Sequence, residues 1–499
     1  MSKKLFIKGI SFSYLRQIIT LIIGIVSLPL TLDYFGTAVY GILVLILGLV
    51  GYLNNIAFGI PSAMITLTAK ALNQTQKYLI LQKSFTILLK IISSVLIIFI
   101  IAILIDTGWI ISLLGNIAPQ YIQISKNIFI FFVVATLLKI PLTLYMQFFT
   151  GINLVYWSEI YQIITMLLTF FSLLITIYIK LDIYWFIILT LGSQLLISII
   201  SMIHVIWKYA NWKNNKSFET ITNHEILKSG FAFFQVGIAA SIVWSTDNLV
   251  ISHFLSPEYV TSYSIAFKIF TYTFLFSAII NGVVGPIYGH AFIQNDWKKI
   301  ERISSSILKL LPIFGAGVWV FLLFFAKELI LLWTHNEMAF GGYLLIFSLG
   351  LYGYILSFVN TYATVIFSLN YAHKTLYIAW GEAILNFIFS IILIQLLGLG
   401  GVALGTALAA FLTGFIFLPQ TIKKLTDENI IYNYSYVKKH FIFLVIPSVL
   451  IALLSTGIDY IQLKIIIFLL LVIVNIVVSW KLFTNEDKNI LRNLIQRKG

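Results

Sequence analysis

The sequence predicts an all-α polytopic membrane protein: about 14 transmembrane helices, forming two six-helix lobes related by a parallel pseudo-two-fold, with two additional C-terminal helices. Three observations lead there. Of the 499 residues, 60% are hydrophobic and only 10% are charged, whereas soluble proteins carry about 25% charged residues. So little polar surface cannot cover a body in water, and most of the chain has to face lipid. The apolar segments run without alternation for about 20 residues, the length of a bilayer-spanning helix, which excludes the short alternating strands of a membrane β-barrel. Lysine and arginine gather in every second connection, as they do in helical membrane proteins.

Hydropathy places the spans at roughly 10–32, 39–64, 84–105, 127–150, 157–179, 184–207, 231–254, 260–287, 305–326, 343–367, 376–397, 399–420, 440–457 and 463–483. The joints near 150–157 and 398–399 are the narrowest. The chain opens with Met1-Ser-Lys-Lys and enters an apolar run, as a secretory signal does. No small-residue cleavage site follows, so a retained first helix is expected. The polar, basic connection 208–229 separates a candidate lobe at 1–207 from a second at 230–420. Residues 421–499 then hold a loop, the two additional helices and a basic tail.

Charge orients the spans. One set of connections holds clusters such as Lys3, Lys4 and Lys8, Lys298, Lys299 and Arg302, and Lys423, Lys424, Lys438 and Lys439. The opposite set holds only Lys126, Lys180, Lys327 and Lys464. The positive-inside rule then makes both termini cytoplasmic in a bacterial plasma membrane. Topology and contact with anionic lipid thus account for the net charge of +14, and no nucleic acid partner is expected. Cysteine is absent, which excludes disulfides, thiolate metal sites and a cysteine nucleophile. The seven histidines show no metal-ligand spacing, and there is no phosphate-binding glycine loop and no nucleophile elbow. No metal, no cofactor and no enzymatic activity are expected.

The second half repeats the first. Phe231–Pro286 echoes Leu28–Pro61: setting Tyr40 against Tyr263 brings Pro61 within two positions of Pro286. In both copies a basic loop and another apolar span follow. Asp247 and Lys268 lie deep in the apolar segments that flank the turn at Pro257. A membrane protein of two similar halves, with charges near the middle of its spans, is a transporter candidate.

The pattern Phe35-Gly36-x3-Tyr40-Gly41, with Asp247-Asn248-x6-Phe254-x8-Tyr263-x2-Ala266-x-Lys268, resembles the polysaccharide flippases of the multidrug/oligosaccharidyl-lipid/polysaccharide superfamily. The resemblance implies two six-helix lobes around a central cavity, working by alternating access. It implies a polyprenyl-diphosphate-linked oligosaccharide as cargo, moved from the cytoplasmic to the outer leaflet. A drug/cation antiporter or a peptidoglycan-precursor flippase of the same fold is the alternative. A membrane polymerase or ligase would need a long outer loop, and the outer loops here are short.

Charges buried in spans need a partner, a cavity or water. Lys139, just before Pro141, has no acid in its own hairpin and is the prime candidate for an anionic head group. Arg16 suits phosphate because its planar fork donates two hydrogen bonds. Glu382 sits at a matching depth in its own span, and Glu159 reads as a boundary residue. Asp247 and Lys268 are either a structural ion pair or a cavity pair that meets a diphosphate. The deep cations outnumber the deep acids, which suits a lipid diphosphate better than a cationic drug. Coupling to H+ or Na+ through the acids stays open.

Overall fold

The computed structural model describes residues 3–71, 73–209, 211, 221–369, 371–458 and 460–482. Lys213 and Lys216 of the expected linker, and the basic tail from 483 onward, lie outside the described residues. Among the described residues there is no strand, and twelve helical segments are long and apolar enough to cross a membrane. The chain divides into two compact units, Met1–Thr261 and Ser262–Gly499.

In the first unit, α1 (Lys3–Leu53) leaves helical geometry at Gly36, where φ is 80° and ψ 166°. Its apolar run of 47 residues would extend about 70 Å at 1.5 Å per residue, more than twice the roughly 30 Å of bilayer hydrocarbon. The run is therefore two crossings, and the break falls between the spans predicted to end at 32 and begin at 39. Past a 3-10 turn at Asn54–Ala57, Phe58 (φ 48°) and Gly59 (φ 65°) redirect the chain into α2 (Ile60–Lys70). Pro61 sits in the first turn of α2, where its missing N–H leaves no bond unmade. A Cβ on Gly59 would collide with the Gly230 carbonyl, so the left-handed turn and the close approach both require glycine.

The Asn73 side chain caps α3 (Gln74–Ile105) by accepting from the Gln76 N–H at 2.7 Å. A short α4 (Gly108–Leu114) follows. Next come α5 (Ile122–Gly151), α6 (Val155–Ile179) and α7 (Ile183–Tyr209), with the narrow joint near 150 reduced to three residues. α5 is the axis of the unit: it packs on α1, α2, α3, α6 and α7 and buries Leu137, Leu144, Phe148 and Phe149 completely. α8 (Asn223–Phe254) starts with a reciprocal capping box between Thr222 and Glu225 and packs against α1 and α2. The division into units falls inside α9 (Pro257–Ile293), which runs as helix through Pro286. The two copies of the sequence echo therefore differ here: the chain turns just before Pro61 and continues through Pro286.

The second unit contains α10 (Trp297–Thr334), α11 (Tyr343–Ser368), α12 (Leu376–Leu397) and α13 (Leu399–Ala410). α11 is its axis: 72% of the residues in its most apolar stretch are buried. Gly398 (φ 61°) makes the single-residue joint between α12 and α13. A Cβ at Gly405 would come within 2.8 Å of the Ser390 backbone nitrogen. Small residues let these two helices touch backbone to backbone, as in membrane interfaces held by packing.

α13 passes through a π-helical turn, Phe411–Phe415, into α14 (Ile416–Leu425). α15 (Ser435–His440) likewise passes through Phe441–Val445 into α16 (Ile446–Leu454). α17 (Ile461–Leu482) is the most lipid-facing helix, with 6% of its apolar stretch buried. It docks on α10 by setting the Phe468 ring among Phe321, Phe324 and Phe325. Lys464, expected in an outer connection, is 3% exposed and donates to Glu328 Oε1 of α10 at 2.6 Å.

Candidate functional site

A hollow of about 630 Å³ opens among α1, α5, α6 and α7 of the first unit. Each helix contributes residues at helical spacing, so one face of each is polar although the helix as a whole is apolar. α5 presents Lys139, Thr143 and Gln147 at successive turns. α6 presents Ser158, Gln162, Thr165 and Thr169, and α7 presents Gln194 and Ser198. Thr20 and Gly24 of α1, with Ile23, close the remaining wall. Among the described residues no acidic side chain lines the hollow.

Lys139 is the centre of this arrangement. Its Nζ donates to Gln194 Oε1 at 2.7 Å, and it has no carboxylate partner among the described residues. α5 stays helical through Pro141 two residues later. Several hydroxyls are turned back on their own helices: Thr143 donates to the Ile140 carbonyl at 2.7 Å and Ser198 to the Gln194 carbonyl at 2.9 Å. Gln147 Oε1, by contrast, is buried without a hydrogen-bond partner among the described residues. A buried amide oxygen left unmade is costly, so a donor from water or a ligand is called for at this wall. The hollow can thus present one cation, amides and hydroxyls to a polar guest while its helices face lipid.

Arg16 lies one turn before Thr20 and is not among the lining residues. Its Nε donates to Glu159 Oε2, and the Ser13 hydroxyl donates to Glu159 Oε1 at 2.9 Å. Glu159, read from sequence as a boundary residue, is 8% exposed and is the carboxylate that neutralises Arg16. Their charges cancel beside Ser158, leaving Lys139 as the one charged side chain among the described residues of the lining.

The other candidates lie elsewhere. Asp247 is 3% exposed on α8, in a stretch held by hydrogen bonds to α1 and to the 3-10 turn that follows it. There the Thr246 and Tyr52 hydroxyls are 2.6 Å apart, and Asn55 Nδ2 donates to Ser241 Oγ at 2.7 Å. Asp247 belongs to the first unit and Lys268, half-buried on α9, to the second. Glu382 is half-buried on α12 in the second unit and makes no hydrogen bond or ion pair with a described residue. The charge-based reading singled out Lys139, which lines this hollow, and did not single out Gln147, Gln162 and Gln194, which line it too. Their signal was present: amides recurring at i and i+4 with other polar residues inside apolar spans.

Comparison with known proteins now bears on this geometry. Residues 6–292 match the family described as polysaccharide biosynthesis protein, and residues 236–392 match the MatE family. A protein of Salmonella typhimurium strain LT2 named "Putative O-antigen transporter" is 29% identical over 197 residues, 39% of this chain and 46% of that one. The chain thus spans about half the length of the curated relative it matches. Among solved structures, a lipid II flippase MurJ in an inward closed conformation superposes with a TM-score of 0.72 at 17% identity, covering 95% of this chain and 99% of that one. An inward-facing multidrug resistance MATE family transporter of the MOP superfamily gives 0.70 at 15% identity, covering 82% and 96%. At such identities the likeness shows the fold alone, the helical bundle these two structures share.

Proposed function

Since the chain belongs to the polysaccharide biosynthesis protein family, we propose that it moves a polyprenyl-diphosphate-linked oligosaccharide from the cytoplasmic to the outer leaflet by alternating access. The observation that carries this reading is the hollow of the first unit, with Lys139 uncompensated, amides and hydroxyls around it and no carboxylate in its wall. Sugars are recognised by such neutral donors and acceptors, and a phosphate by the ammonium. A hydrophobic drug cation would need an acid in the wall, so this lining disfavours an antiporter of the same fold. Inside the hollow, away from bulk water, an ammonium and a phosphate 4 Å apart attract by about 4 kcal/mol at an effective dielectric of 20. The hollow would then take the polar head while the isoprenoid tail stays in lipid.

The lobes of this cycle would be 1–207 and 230–420, joined by 208–229, with both termini cytoplasmic in a bacterial plasma membrane. Glu382, a carboxylate within a span and without a partner among the described residues, is the candidate for coupling to H+ or Na+. The test is where the labelled lipid-linked unit accumulates in cells lacking the protein. Accumulation on the cytoplasmic leaflet, relieved by the wild-type chain, is the expected result. Single units collecting on the outer leaflet would instead place the missing step after translocation and overturn the proposal.

A further inference from the structure

The second unit has a hollow of its own, about 720 Å³, walled by α11, α13, α14, α15 and both π-helical turns. Its chemistry is unlike that of the polar hollow. The wall is almost wholly apolar, with Phe358, Phe411, Phe415 and Phe441 prominent, while Lys423 and Lys438 line one end. Lys423 is the last turn of α14 and Lys438 of α15, each followed by a second lysine. The loop between them is fixed from several sides. Tyr362 OH donates to Tyr434 OH at 2.9 Å, Tyr432 OH donates to Ser304 Oγ at 3.1 Å, and the Ile431 N–H donates to Glu301 Oε1 at 3.3 Å. The two lysines are therefore held at the rim by an anchored turn.

From this geometry we infer that the hollow is a binding site for a resident anionic bilayer phospholipid of the phosphatidylglycerol class, its phosphate between Lys423 and Lys438 and an acyl chain among the phenylalanines. Three features select that occupant. The rim is cationic and the interior apolar, the charge and polarity order of an anionic lipid. Lys423 is engaged only by Glu428 at 3.1 Å, with side chains 48% and 68% exposed, and so open a pair is worth little. It is free to exchange that partner for a phosphate. Third, Tyr354 lines the hollow at 6% exposure and its hydroxyl has no partner among the described residues. A diacyl lipid brings ester carbonyls that accept from such a hydroxyl, whereas a polyprenyl chain brings no acceptor below its phosphate. The lining holds a single side-chain amide, Gln420, against Gln147, Gln162 and Gln194 in the polar hollow, so it offers a glycan far fewer partners than the cargo hollow does. The two π-helical turns each place phenylalanine in the wall, and such turns recur at functional positions.

The test uses the purified full-length chain, delipidated in detergent and titrated with phosphatidylglycerol, phosphatidylcholine or undecaprenyl phosphate, with adducts counted by native mass spectrometry. Phosphatidylglycerol is expected to be retained in preference to both others. Lys423→Gln with Lys438→Gln should weaken that retention by roughly 30-fold, the scale of losing two lysine attractions to an anionic lipid. Both lysines are at the exposed rim, so the lipid-free thermal midpoint should not move. Tyr354→Phe should weaken phosphatidylglycerol several-fold and leave undecaprenyl phosphate unchanged. Equal retention of phosphatidylglycerol and phosphatidylcholine by wild type and double variant means lipid coats the surface without a site, and overturns the proposal. Preferential retention of undecaprenyl phosphate overturns it too, by assigning the hollow to the lipid carrier. Neither outcome bears on the assignment of the polar hollow to the cargo head.

Discussion

Replacing Lys139 with methionine is the most direct test of the polar hollow. Methionine keeps the unbranched length of the side chain and removes the ammonium. A hydrogen bond from a charged donor contributes about 1.5–3 kcal/mol, and each 1.4 kcal/mol is a factor of ten. Transport of a lipid-linked oligosaccharide should therefore fall between roughly tenfold and 150-fold. Stability should not fall with it. A charged lysine within a span costs about 2.5–3.5 kcal/mol on insertion scales, while the bond lost to Gln194 Oε1 is worth about 1.5–3 kcal/mol. The two nearly cancel, so a normal level of inserted protein with an unchanged thermal midpoint is expected. The assay is surface polysaccharide in a complemented deletion strain, followed by leaflet-resolved transport in proteoliposomes. Lys139→Arg, which keeps the charge, should recover much of the activity. Wild-type transport by the methionine variant, at normal insertion, would refute the assignment of Lys139 to the anionic head group.

The other perturbations read the surroundings. Gln194→Leu leaves the Lys139 ammonium without its acceptor and should lower stability by about 1–3 kcal/mol, seen as a lower thermal midpoint that Lys139→Met in the same chain reverses. Glu159→Ala strips Arg16 of its carboxylate; with the Arg16 side chain 28% exposed, the loss should stay below the 3–5 kcal/mol of a fully buried pair, near 1–3 kcal/mol by thermal melting. Glu382→Gln should abolish the dependence of transport on an imposed H+ or Na+ gradient while cargo binding persists, and transport still driven by the gradient would remove Glu382 from coupling. Lys464→Ala leaves Glu328 without its partner at the α10–α17 contact, and should loosen α17, measured as faster proteolysis of the C-terminal segment with transport preserved.

How far the sequence reached is explained by what each signal depends on. Helices in lipid must satisfy every backbone group within the segment, so hydropathy alone exposed the helical class and most of the apolar runs. It also separated the spans at 376–397 and 399–420, and the structure puts a glycine with φ 61°, Gly398, at that joint. Lys139 was legible for a related reason: a lone cation in an apolar span is costly enough to demand a cause. Partners across helices were not legible. Matching Arg16 to Glu382 by depth used distance from the span end, but pairing is decided by which helices touch, and α1 lies on α6. Glu159 therefore holds Arg16 although 143 residues separate them. Lys464 failed by the same physics. Near a span end a lysine can extend to the interface, and the positive-inside count assumes that it does, yet Glu328 on a neighbouring helix draws this one into the protein. The polar hollow itself lay between these limits. Its amides follow helical spacing in the sequence, but four separate stripes become one wall only when α1, α5, α6 and α7 pack together. Charge identifies a place in the membrane where something is required; packing decides whether that requirement is met by the protein or left for a ligand. Arg16 is the first case; Lys139, held by an amide and by no carboxylate among the described residues, is proposed as the second.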